Sequence, residues 1–202
     1  LFLIPGLACT IVSGLYAAKL VSRFHPAVIV SSGLALGALG YLFVVFFGSR
    51  NDLLLMLSFM FLGLSVGAAQ TISNDLILSS VPANKAGAAS AISETAYEFG
   101  TVLGTVVIGG MLTAIYRAQV MVPAGLNADA AHAAGETLGG ATAVAGQLPS
   151  DLSAELLHSA HAAFDSGVLV TATFSAVLLA VLSVFTYRML RSAPAELEKA
   201  KH

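Results

Sequence analysis

The sequence predicts an all-α membrane protein built from five transmembrane helices. Three observations carry that prediction. Apolar residues make up 57% of the 202 residues and charged residues only 10%, against about 25% charged in an ordinary soluble domain. Mean hydropathy is +0.87. The apolar residues also collect into runs long enough to cross a bilayer, and such runs must be helical, because an open strand leaves its backbone unsatisfied in lipid.

The runs are Leu1–Val21, Pro26–Gly48, Leu53–Leu78, Ala88–Tyr116 and Ala162–Leu190. The expected organisation is four membrane helices over 1–117, an extracytoplasmic segment over 118–160, a last membrane helix over 161–191 and a cytoplasmic tail over 192–202. Lys19 and Arg23 follow the first run, Lys85 lies between the third and fourth, and Arg188, Arg191, Lys199 and Lys201 follow the fifth. These seven fall on one side, and only Arg50 and Arg117 fall on the other. Basic residues favour the cytoplasmic face, so the chain is expected to enter from outside and end inside. An odd number of spans with an outside start, and an opening on apolar Leu1-Phe2-Leu3-Ile4 rather than Met, make it the expected later part of a longer polypeptide.

Several function classes drop out. A net charge of −2 with no Lys/Arg run leaves nothing to hold nucleic acid. The lone cysteine, Cys9, cannot form an intramolecular disulfide. No phosphate loop, Cys/His zinc spacing or nucleophile elbow is present, so no enzyme and no cofactor is expected. His158, His161 and Asp165 share a helix face at i, i+3, i+7, but three exposed ligands on an Ala-rich helix are a weak metal signal, and no metal is expected. Segment 118–160 is Ala/Gly-rich, with acidic Asp129, Glu136, Asp151 and Glu155 and no Lys or Arg. A loop suits it, as do short amphipathic helices on the outer membrane surface. Leu152, Leu156 and Leu157 share one helix face, and Pro149-Ser150 suits a helix start.

The fourth run holds the chemistry. At about 100° per residue, Glu94, Glu98, Thr101 and Thr105 fall within about 60° of one another, with Tyr97 on the adjacent face. A carboxylate inside a membrane helix costs several kcal/mol on insertion scales and usually faces the protein interior. Burial and a like-charged neighbour both favour the protonated carboxyl. The ionised form attracts a lipophilic cation and the protonated form releases it, so the pair suits exchange of protons for cations. Tyr97 offers an aromatic face to a cation. Asp75, near the cytoplasmic end of the third run, suits a contact with a basic residue at the inner mouth. Thr10, Ser13, Gln70 and Asn74 are milder polar candidates. Gly33/Gly37, Gly63/Gly67 and Gly100/Gly104 repeat the spacing that lets helix backbones approach.

The stretch Val81-Pro82-Ala-Asn-Lys85-Ala86-Gly87-Ala-Ala-Ser-Ala-Ile-Ser-Glu94-Thr-Ala-Tyr97-Glu98-Phe-Gly100 resembles the fourteen-helix drug:proton antiporters of the major facilitator superfamily, and most of all their quaternary-ammonium, multidrug efflux branch. Gly14-Leu-Tyr-Ala-Ala-Lys19-Leu-Val-Ser-Arg23 resembles a degenerate copy of the superfamily's cytoplasmic loop, without its acidic residue, and Ala162-Ala-Phe-Asp165-Ser-Gly167 is also typical. The resemblance covers nearly the whole chain as helices ten to fourteen. It implies Glu94, with Glu98, as the coupling site. It implies Tyr97, Thr101, Thr105 and Thr10 as cavity wall, and Lys19, Arg23 and Asp75 as cytoplasmic gate. Some relatives carry an acidic residue where Ser93 and Thr10 stand here, and both departures are expected to favour monovalent cations. The implied partners are lipophilic cations, protons, the bilayer and an N-terminal bundle of the same polypeptide, in a bacterial inner membrane. Two rivals are kept: a facilitator exporting a metabolite or amino acid, and a non-transporting membrane scaffold. The first predicts indifference to lipophilic cations, the second no flux at all.

Overall fold

A computed structural model describes residues 3–21, 23–48 and 52–199, the last eight and Ala18 by their backbone alone. Seven α-helices account for most of these residues: α1 Ile4–Leu20, α2 Pro26–Phe47, α3 Asp52–Ser79, α4 Ala86–Gln119, α5 Ala128–Glu136, α6 Leu138–Ala145 and α7 Ser150–Lys199. Four helical stretches, Pro26–Phe47, Asp52–Ser79, Ala83–Gln119 and Ser150–Arg191, are long and apolar enough to cross a membrane, and α1 is a shorter apolar helix. The all-α membrane architecture is therefore present, with four full-length spans and one short one where five were expected.

Local chemistry sets the boundaries. Pro26 occupies the first turn of α2, where its missing N–H is no loss. His25, extended just before it, accepts a hydrogen bond at Nδ1 from the Ala27 N–H at 3.2 Å. Pro82 is extended and leads through a single 3₁₀ turn, Ala83–Lys85, into α4. Asn127 caps α5 by accepting from Ala130 N–H at 2.7 Å, and Thr137 caps α6 by accepting from Gly140 N–H at 3.0 Å. Gly125, at φ +100°, makes the turn before α5 in a conformation that favours glycine.

The last helix differs from the sequence expectation at both ends. It begins at Ser150, not near Ala162, so the start expected at Pro149-Ser150 opens the membrane helix itself. It continues to Lys199 through most of the expected tail, and 200–202 lie outside the described residues. Fifty residues at 1.5 Å each make about 75 Å, far more than the ~30 Å of a bilayer core, so part of α7 stands clear of lipid.

The chain divides into two compact units, Leu1–Glu98 with Ala172–His202, and Phe99–Thr171. In the first, α3 is central and packs against α1 and α2. A Cβ at Gly63 would overlap the Gly6 carbonyl oxygen, and one at Gly67 the Thr10 carbonyl oxygen. The Gly6–Gly63, Thr10–Gly67 and Gly14–Thr71 contacts rise together in number, so α1 and α3 run parallel. Gly33 lies over Ser65 and Ala68, and Gly40 over Leu62, so α2 runs antiparallel to α3. Ala17, Ile29, Val30 and Ile72 form the buried centre. The end of α7 joins this unit through Ser183, whose hydroxyl donates to the Ser31 carbonyl at 2.7 Å, and through Leu179, which lies against Gly37.

The second unit has a core of its own, in which Tyr116, Ala134, Ala141, Ala145, Leu156, Ala160 and Ala163 are buried together. The Tyr116 hydroxyl donates to the Ala134 carbonyl at 2.9 Å. Segment 118–160 is thus a packed helical structure with α5 and α6 at its centre.

Candidate functional site

In the first unit, α4 presents one edge to its neighbours and leaves the rest open. Ala89 and Ser93 are buried, and Tyr97, one further turn along, is half-buried. The Tyr97 hydroxyl donates to the Gln70 carbonyl of α3 at 3.3 Å. This edge follows from i, i+4 spacing with small residues first, which lets α4 sit close before Tyr97 reaches across. Glu94 and Glu98 follow the two edge residues Ser93 and Tyr97, and both are exposed. So are Ile92 at 71% and Phe99 at 65%. The carboxylates therefore stand one helix turn apart on a largely apolar membrane helix. Their face is uncovered among the described residues.

Of the residues expected to line a cavity, Tyr97 is the one next to the carboxylates in the first unit, and its hydroxyl is held by the bond to α3. Thr101 and Thr105 belong to the second unit and are exposed. The Thr105 hydroxyl turns back to the Thr101 carbonyl at 2.8 Å, so it lines α4 without projecting a free donor. Thr10 sits at the α1–α3 crossing beside Gly63 and Gly67, and its hydroxyl donates to the Gly6 carbonyl at 3.0 Å. Thr10 also lines an open, mostly apolar pocket of about 370 Å³ between α1 and α3, with Leu7, Phe59 and Leu62, on other helices than the α4 stripe.

The expected gate residues lie at one end of the first unit. Lys19 is in the last turn of α1, with Nζ 5.8 Å from the Tyr16 ring centroid. Arg23 is exposed in the α1–α2 turn. Asp75 is exposed near the end of α3, at the level of Lys19 by the parallel register. Neither ion pair among the described residues involves Asp75.

Those two pairs share Glu136 of the second unit, with Arg117 and, at 3.8 Å, with His132. Met121 N–H donates to the Ser159 hydroxyl at 2.7 Å and helps tie the segment after α4 to α7. Sequence reasoning missed these three contacts and the buried position of Ser93. The Ala89–Ser93–Tyr97 spacing was the available signal for the last. His158 and Asp165 are exposed, His161 Nδ1 lies 2.7 Å from the Leu157 carbonyl oxygen, and no group of described His, Cys, Asp or Glu residues is arranged to hold a metal.

Comparison with known proteins fits this arrangement to a class. No family model matches the chain. It is 47% identical over 179 residues to the multidrug efflux pump LfrA of Mycolicibacterium smegmatis, a match covering 87% of this chain and 35% of LfrA. It resembles proteins named for multidrug efflux and drug resistance. The methyl viologen resistance protein SmvA of Salmonella typhimurium is 32% identical over 185 residues, covering 91% of this chain and 37% of SmvA. The multidrug resistance protein Stp of Mycobacterium tuberculosis is 28% identical over 114 residues, covering 56% of this chain and 21% of Stp. The chain spans about a third of the length of LfrA and SmvA. With its long apolar helices, it is a multi-pass membrane protein similar to efflux transporters.

Proposed function

We propose that the chain is the C-terminal part of a major-facilitator drug:proton antiporter that exports lipophilic cations by alternating access. The observation that carries this reading is the Glu94–Glu98 pair, exposed on an apolar membrane helix in a chain whose relatives are efflux pumps. An intramembrane carboxylate is costly unless it faces a cavity and is used. An N-terminal bundle of the same polypeptide would cover the open face and complete the cavity near the midplane. Glu94 then takes a proton or a cation in turn, Glu98 assists, and Tyr97 offers its ring to the cation. Thr101 and Thr105 extend the polar wall. Lys19, Arg23 and Asp75 belong to the cytoplasmic end, where the C-terminus also lies by the positive-inside rule. The proton gradient across the bacterial inner membrane drives the exchange, with no cofactor and no chemical conversion of the substrate.

Methyl viologen, in the name of one relative, is a quaternary bipyridinium dication, whereas Ser93 and Thr10 are expected to shift preference here towards monovalent cations such as ethidium. The test is ethidium efflux from energised cells expressing the full-length polypeptide, wild type against Glu94→Gln, with an uncoupler control. Uncoupler-sensitive efflux that drops at least tenfold in the variant is the expected result. Efflux that survives the substitution would remove Glu94 from the coupling role. No efflux of ethidium or methyl viologen from a well-expressed wild type would favour a metabolite exporter.

A further inference from the structure

The first unit holds a second feature, remote in chemistry from the carboxylates. A cavity of about 460 Å³ opens between α1, α2 and α3. Its wall is mostly apolar, with Val12, Tyr16, Ile29, Leu36, Leu64 and Ala68 prominent. It lies in the half of these helices nearest the α1–α2 turn, since it takes the second half of α1 and the first half of α2. At that end the charges are predominantly basic: Lys19 over the Tyr16 ring, Arg23 in the turn and Lys85 after α3, against Asp75. Tyr16 belongs both to the cavity wall and to the Lys19 contact, so the apolar slot and the cationic rim are joined by one side chain.

We infer that this cavity is a binding site for one anionic phospholipid, with an acyl chain in the slot and the phosphate group at Lys19 and Arg23. In a membrane an open apolar slot is filled by hydrocarbon, and basic residues beside the membrane attract anionic headgroups. The rim repels the lipophilic cations assigned to α4, so the two sites select opposite charge. The inference needs only that the chain lies in a membrane. It does not rest on Glu94 or on the direction of transport.

The test is native mass spectrometry of the purified full-length polypeptide given equal amounts of phosphatidylglycerol and phosphatidylcholine. Wild type is expected to retain phosphatidylglycerol at least fivefold over phosphatidylcholine. Lys19→Gln with Arg23→Gln is expected to bring that ratio near one. Ser32 lines the cavity from an exposed position, so Ser32→Phe fills the slot and is expected to remove one tightly held lipid. If Ser32→Phe does not fold, the charge variant decides alone. Equal retention of the two lipids by wild type, an unchanged ratio in the charge variant, or an unchanged lipid count in a folded Ser32→Phe protein would overturn the assignment. So would displacement of the bound lipid by ethidium, which would place the cavity on the drug path.

Discussion

Two glycine pairs with the same spacing meet opposite surroundings. Gly63 and Gly67 are buried where α1 crosses α3, and an added Cβ at either would run into backbone of the neighbouring helix. Among the described residues, nothing beyond the adjacent residues and nearby backbone of α4 itself lies within 4 Å of a Cβ added at Gly100 or Gly104. The first pair builds the three-helix unit. The second lies on a helix whose carboxylates and large apolar side chains are also exposed. The GxxxG spacing states only that a backbone can come close; the sequence of the facing helix decides whether one does. For Gly63 and Gly67 such a helix stands among the described residues; for Gly100 and Gly104 none does.

The comparison is broken most forcefully at the closed end. Gly67→Leu would drive a branched side chain into the Thr10 carbonyl and the Ser13 hydroxyl of α1. Backbone cannot yield as a flexible side chain can, and overpacking of this kind costs about 3 kcal/mol or more. The full-length variant is expected to lose its folded, monodisperse peak in size-exclusion chromatography. A variant that elutes and melts like wild type would show that α1 and α3 do not cross here.

At the open end the expected loss is of transport, not of fold. Glu98→Gln leaves an exposed helix position with a side chain of nearly the same shape, so stability should change by less than about 0.5 kcal/mol. Ethidium efflux is expected to fall several-fold, less than in Glu94→Gln, because Glu98 assists. Equal and complete loss in both variants would make the two carboxylates a single unit. No loss in Glu98→Gln would leave Glu94 to act alone.

The apolar runs of the four long helices and of α1 were legible because lipid demands unbroken apolar helices, which composition records directly. The stripe of Glu94 and Glu98 beside Tyr97 was legible from helical periodicity. What covers that stripe was not, because no described residue packs over Glu94 or Glu98. The segment after α4 was legible only in part, for another reason. Its core is made of alanines such as Ala134, Ala141 and Ala160, whose small side chains give a weak periodic signal in an Ala/Gly-rich stretch. Asn127 and Thr137, each capping a short helix, Tyr116 and Leu156, buried among the alanines, and the start at Pro149-Ser150 marked order there. Thr10, a cavity-wall residue by the resemblance alone, lines a mostly apolar pocket between α1 and α3. Its backbone oxygen lies where Gly67 admits α1, and its hydroxyl is satisfied within its own helix.

Tyr116 tests whether the second unit is as firmly built as the α1–α3 crossing. Tyr116→Phe keeps the ring but strips the Ala134 carbonyl of its hydroxyl partner. An unsatisfied buried acceptor costs about 1–3 kcal/mol. Faster hydrogen exchange in α5, with no change in α1 to α3, is the expected pattern. Uniform exchange across the protein would show that the second unit does not open by itself.

The smallest expected effect returns to the open glycines. Glycine inside a helix is less favourable than alanine by roughly 0.5–1 kcal/mol, and no atom stands in the way of a Cβ at Gly100 or Gly104. Gly104→Ala in the full-length polypeptide is therefore expected to raise the melting temperature slightly, or to leave it unchanged. A clear fall would mean that a helix from elsewhere in the polypeptide approaches α4 as closely as α1 approaches α3. The two glycine pairs would then differ only in which part of the sequence supplies the neighbour, and the open face would be a helix contact as well as a cavity wall.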